Sequence, residues 1–191
     1  MDRRELLKMI VAATGAAMVG LPALVQGQAP DAGPRTPFSD ADIGMLDDIA
    51  ETILPRTRTP GAKDAGAGLF MATFVSDCYT ARQQAEFRAG LVDIDRRAGG
   101  RFVSLTPEAR TALLRTLDAE ARARPADVTE TGTPEEGEAM PHYFTMLKQL
   151  AIFGFFTSKV GATGVLQYVA VPGRYDGDLA YVPGTPAWGT S

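Results

Sequence analysis

The side chains able to do chemistry in this chain are few and poorly assembled. One histidine, His142, and one cysteine, Cys78, stand in 191 residues. That scarcity excludes a Cys/His zinc cluster, a self-contained iron–sulfur cluster and a C-x-x-C-H haem site. His142 has the chemistry of a general base, but no G-x-S-x-G or comparable nucleophile element accompanies it. Its place in the first turn of an expected helix suits a cap or a surface group instead. Asp47, Asp48 and Glu51 form an acidic group on another expected helix, where consecutive acids point to different faces, as on a solvated surface. Gly66-Ala67-Gly68 approaches a dinucleotide loop but lacks the third glycine and a preceding strand. No catalytic, cofactor-binding or metal-binding residue is assigned here.

Three other segments stand out, and all carry the residue types enriched at the centres of protein contacts. The loop P-R-T-R-T-P-G-A-K-D (55–64) holds two prolines and three basic side chains, Arg56 and Arg58 among them, and should be exposed and stiff. The run L-A-I-F-G-F-F (150–156), with Phe155 and Phe156, is apolar on every helical face. Either the other helices wrap it or a second protein does. The last 24 residues, from Tyr168, combine glycines and prolines with aromatic residues that need burial or a partner. Within them P-G-R-Y-D-G presents Arg174, Tyr175 and Asp176 on a turn, followed by Tyr181 and Trp188.

The elements that position these segments are helical. Ser39 with Asp42 makes a capping box for a helix over about 40–54, closed by Pro55. A second helix covers about 67–79, with Leu69, Phe70, Phe74, Val75 and Cys78 on one side. Thr80 with Gln83 caps a third, whose Phe87, Leu91 and Ile94 precede the Gly99-Gly100 stop. Thr106-Pro107-Glu108 opens a fourth, with Leu113, Leu114 and Leu117 buried. A fifth begins near Pro141; about 20 residues would span roughly 30 Å. The stretch 125–139 is polar and acidic. With no βαβ alternation, the expected fold is all-α: a bundle of about five helices over 38–167 with an irregular, extended C-terminal arm over 168–191. The arm docks either on its own bundle or on a partner.

The charge of −4, with 45% hydrophobic and 22% charged residues, is a globular balance without the basic excess that nucleic acid requires. At the front, Arg3 and Arg4 precede a soft apolar run that ends near Gly27-Gln28-Ala29. Residues 1–29 read as a signal peptide of the twin-arginine type, and 30–37 as a Pro-rich lead-in. A general secretory signal is the plainer alternative. The expected location is the periplasm, where a lone Cys78 has no internal partner. It is then either a small buried side chain or a link to another subunit.

The order and spacing of I-L-P-R-T-R-T-P-G-A-K-D-A-G (53–66), G-F-F-T-S-K-V-G-A (154–162) and P-G-R-Y-D-G (172–177) resemble the gluconate 2-dehydrogenase subunit 3 family. The resemblance implies a non-catalytic small subunit that binds, stabilises and escorts for export a large FAD-dependent sugar or polyol dehydrogenase of the glucose-methanol-choline type. It places FAD in that partner, haem c in a cytochrome subunit where one joins, and no cofactor in this chain. Some members have a cysteine where Asp178 stands here, and many an acid in place of Lys159. The partner-facing residues are then Arg56, Arg58, Phe155, Phe156, Arg174, Tyr175, Asp176, Tyr181 and Trp188. Two readings from other classes stand beside this one: a secreted hydrolase using His142, and a small periplasmic ligand-binding helical protein.

Overall fold

The computed structural model describes residues 36–123, 140–171, 173, 177–180 and 182–189. Among them are six α-helices: α1 (Asp40–Ile53), α2 (Ala67–Cys78), α3 (Ala81–Arg97), α4 (Pro107–Ala123), α5 (Tyr143–Thr157) and α6 (Lys159–Gly164). Two 3-10 turns, Ala62–Ala65 and Phe102–Ser104, lie between them. No strand occurs among the described residues, and the fold is the expected all-α bundle. The twin-arginine pair Arg3 and Arg4, the leader and the acidic stretch 125–139 lie outside the described residues.

Local chemistry sets the helix starts. Ser39 Oγ accepts from the Asp42 amide (3.2 Å), and the Asp42 carboxylate accepts from the Ser39 amide (2.9 Å). Thr80 and Gln83 repeat the arrangement at the head of α3, at 3.3 and 2.9 Å. Each reciprocal pair satisfies two amides that a helix leaves without partners. Thr106 caps α4 through the Ala109 amide (3.3 Å), with Pro107 at the first helical position, where its missing donor costs nothing.

Helix α5 lies at the centre and touches α1, α2, α3, α4, α6 and the first 3-10 turn. Tyr143, Phe144, Met146, Leu147, Leu150, Ala151 and Phe155 are all buried. The neighbouring helices therefore wrap most of this apolar helix themselves. It is shorter than the sequence suggested: 15 residues, or about 22 Å. Ser158 ends it, its hydroxyl donating to Phe155 O (2.6 Å) and accepting from the Gly161 amide (3.0 Å) at the head of α6. A Cβ at position 161 would lie 2.0 Å from Phe155 O, so only glycine lets the chain fold back here.

The core is built from Leu46 and Ile49 of α1, Met71 and Val75 of α2, Phe87 and Ile94 of α3, Leu117 of α4, Leu147 of α5 and Phe102. Two residues expected on the buried side of α2 are outside it: Leu69 and Cys78 are exposed. Ala67, Met71 and Ala72 take that side. Conversely, the end of the lead-in is anchored. The Thr36 hydroxyl donates to Ala72 O (3.2 Å), and Phe38 is buried edge-on against Phe87 beneath the Arg88 guanidinium.

A charged network fastens α5 to α3 and α4. The Tyr143 hydroxyl donates to Asp93 (2.6 Å), which also takes Arg97 Nε (2.7 Å) and Arg96; Arg97 reaches on to Glu120 (2.7 Å). Lys148 Nζ meets Asp118 at 2.7 Å. Burial alone pushes the Asp93 carboxyl up, but the hydrogen bonds from Tyr143, Arg96 and Arg97 outweigh it and hold it at about 2. Burial, then Asp93, pushes the Tyr143 hydroxyl up. With its folded value below the ordinary 3.8, Asp93 stabilises the fold above that pH, and the contribution fades as pH falls towards 2. The expected result is that wild-type stability, measured by urea unfolding, drops more steeply between about pH 4 and 2 than that of Asp93→Asn.

Candidate partner interface

The basic loop begins at Pro55, where proline forbids further helix. Its amides face carboxylates from α1. Glu51 accepts from the Arg56 amide (2.8 Å) with one oxygen and from the Lys63 amide (2.9 Å) with the other, closing the loop at its base. Gly61 makes this possible: a Cβ there would lie 2.4 Å from both Glu51 oxygens. Asp64 accepts from the Gly61 amide (2.8 Å) and pairs with the Arg56 guanidinium. One step back along α1, Asp48 is only 8% exposed and sits between Lys63 and Arg110 Nη2, the latter at 3.1 Å. Asp47 accepts from the Gly68 amide (2.7 Å) at the head of α2.

This corrects the reading of Asp47, Asp48 and Glu51 as a solvated face. All three are spent on the loop and on the α1–α2 contact. The missed signal was the loop itself, whose glycine and exposed turns carry backbone donors that need acceptors from a neighbour. The tip, 55–59, is exposed as expected. There the Thr57 amide donates to Thr59 O (3.0 Å), lifting Arg58 outward. Arg56 is tied to Asp64, whereas the Arg58 guanidinium has no ion pair or hydrogen bond among the described residues.

On α5 the apolar run divides. Phe155 is 3% exposed and belongs to the core, so it offers no contact to a partner. Phe156 is half-buried against it, ring centroids 5.0 Å apart. The outward positions are instead Ile152, 38% exposed, and Phe153, 47% exposed. Phe153 packs on Phe70 (5.6 Å) and Phe74 (5.8 Å), and Phe74 meets Tyr79 (5.8 Å), which leads to buried Phe87. An aromatic row thus runs from the surface into the core. Cys78 is exposed at its Tyr79 end, which removes the reading of a buried thiol. Burial, with Cys78 beside it, pushes the Tyr79 hydroxyl up.

The arm folds on itself at its root. Gln167 donates its amide to Ala187 O (2.8 Å) and its side-chain nitrogen to Pro186 O (2.6 Å), and it accepts from the Gly189 amide (2.7 Å). Every described residue from 168 to 189 is exposed. Six of the ten exposed large apolar side chains among the described residues are there: Tyr168, Val169, Val171, Leu179, Val182 and Trp188. Arg174, Tyr175, Asp176 and Tyr181 lie outside the described residues.

A family model described as gluconate 2-dehydrogenase subunit 3 matches residues 40–173. The chain belongs to that family. No curated protein and no solved structure matches it. The matched span takes in the acid-held loop, the aromatic row and the α5–α6 turn. It stops within the arm, before Leu179, Val182 and Trp188.

Two other readings meet the geometry differently. His142 Nδ1 accepts from the Phe144 amide (3.1 Å) and caps α5, with its ring against Tyr143. That is the cap role expected of it. An open depression of about 370 Å³ lies over Pro107, Glu108, Thr111, Ala112 and Arg115; it is a surface feature of α4 rather than an enclosed apolar cavity.

The loop anchorage makes a measurable demand. Asp48→Ala takes the carboxylate from Arg110, whose side chain is 19% exposed and keeps only the Val103 carbonyl and the Phe102 ring, so unfolding stability should fall by about 1.5–3 kcal/mol. A solvated acid would lose less than about 0.5 kcal/mol on the same change. Thermal or urea unfolding of the purified variant decides between these values.

Proposed function

We propose that this chain is a non-catalytic small subunit that binds and stabilises a large FAD-dependent sugar or polyol dehydrogenase and escorts it out of the cytoplasm. The observation that carries the reading is the exposed arm, with six large apolar side chains in water. Each buried residue of that kind is worth about 1.5–3 kcal/mol, so a chain that leaves them uncovered has a strong incentive to associate. Membership of a dehydrogenase-subunit family supplies the class of associate. The flavin then belongs to the large subunit, haem c to a cytochrome subunit where one is present, and the chemistry to both.

The leader supports the export part of the reading. Arg3 and Arg4 before a soft apolar run fit a twin-arginine signal, a route for cargo already folded with its cofactor. A leader of that kind on a chain with little catalytic equipment serves a companion carried with it. The destination is the periplasm.

Co-expression tests this directly. A tagged large flavoprotein subunit should appear in the periplasm, soluble and active, only when this chain is made with it, and Arg3→Lys with Arg4→Lys should hold both in the cytoplasm. Full export and activity without this chain would remove the proposal.

A further inference from the structure

The acid-held loop distinguishes its two exposed arginines. Arg56 is engaged by Asp64, and Lys63 and Arg110 by Asp48. Arg58 alone among these cations has no ion pair among the described residues, and it stands at the tip of the loop. We infer that Arg58 is the charged anchor of the subunit interface and meets a carboxylate on the large flavoprotein. This rests on the proposed function and adds the chemistry of the contact.

Two features of the site support it. First, the tip is preorganised: Pro55 and Pro60 restrict the backbone, Glu51 joins the Arg56 and Lys63 amides, and the Thr57 amide closes on Thr59 O. A guanidinium fork presented on a fixed loop loses little freedom on binding, which favours a bidentate carboxylate pair. Second, the local charge balances. Arg56, Arg58, Lys63 and Arg110 stand against Asp47, Asp48, Glu51 and Asp64. Nucleic acid and anionic membranes reward accumulated positive charge, and a neutral cluster offers them none. A protein surface that places one carboxylate against one fork fits this arrangement.

The test uses the co-purified complex of this chain and the large flavoprotein. Arg58→Glu should weaken association at least tenfold by titration and make the salt dependence of binding shallower, whereas Arg58→Lys should weaken it less and leave the salt dependence unchanged, because it keeps the charge. Arg115→Glu, an exposed arginine on α4, should leave affinity unchanged. The melting temperature of free Arg58→Glu should match wild type, because the guanidinium has no ion pair or hydrogen bond among the described residues to lose. A wild-type complex that Arg58→Glu leaves intact overturns this inference alone. So does a variant that keeps the complex but loses binding to phosphatidylglycerol vesicles. A wild-type chain that never associates with the flavoprotein overturns the parent reading as well.

Discussion

Much of this fold depends on one carboxylate-to-backbone arrangement. Glu51 takes an amide from each side of the basic loop, while Asp48 and Asp47 on the same helix hold Lys63, Arg110 and the start of α2. Without these acceptors the loop would carry orphaned donors beside a helix start, at a cost of about 1–3 kcal/mol for each one buried. With them, a ten-residue connection becomes a fixed platform from 55 to 64. The same contacts set the approach of α1 to α2, and through them the floor on which α5 rests.

A rigid bundle then carries segments it does not cover. Of the apolar side chains of α5 only Ile152 and Phe153 are exposed, and the arm beyond Gln167 is exposed along its described length. Eight of the ten exposed large apolar side chains among the described residues thus lie on one short face of α5 and on the arm, with Leu69 of α2 and Val92 of α3 standing apart. Solvent-facing valine, leucine and tryptophan on a well-anchored protein make physical sense as surface reserved for another chain. Under the proposed function, that surplus is the surface the large subunit covers.

What could be read in the sequence was local. Both capping boxes, the proline start of α4 and the stop after α3 depend on residues within a few positions of each other, and all are found as expected. The cap role of His142 was legible for the same reason. Facts that depend on distant packing were not. Leu69 and Cys78, nine positions apart, fall on opposite sides of a helix with 3.6 residues per turn, so no single face could bury both; α2 turns Met71 and Ala72 inward, and α1 comes close through Gly68. Phe155 and Phe153 are equally apolar in sequence, yet Phe155 enters the core while Phe153 lies over Phe70 and Phe74 with about half its surface in water. The acids of α1 were misjudged because their partners are amides and a distant arginine, which no charge pattern along one helix reveals.

Hydrogen–deuterium exchange on this chain alone and in complex with the large flavoprotein is the most direct test of the central claim, that the exposed face is a subunit interface. The account predicts fast exchange in the free chain and strong protection in the complex at 55–60, around Phe153 and from 168 to 189, with the rest of the bundle unchanged. Equal exchange in both states along the arm would contradict it.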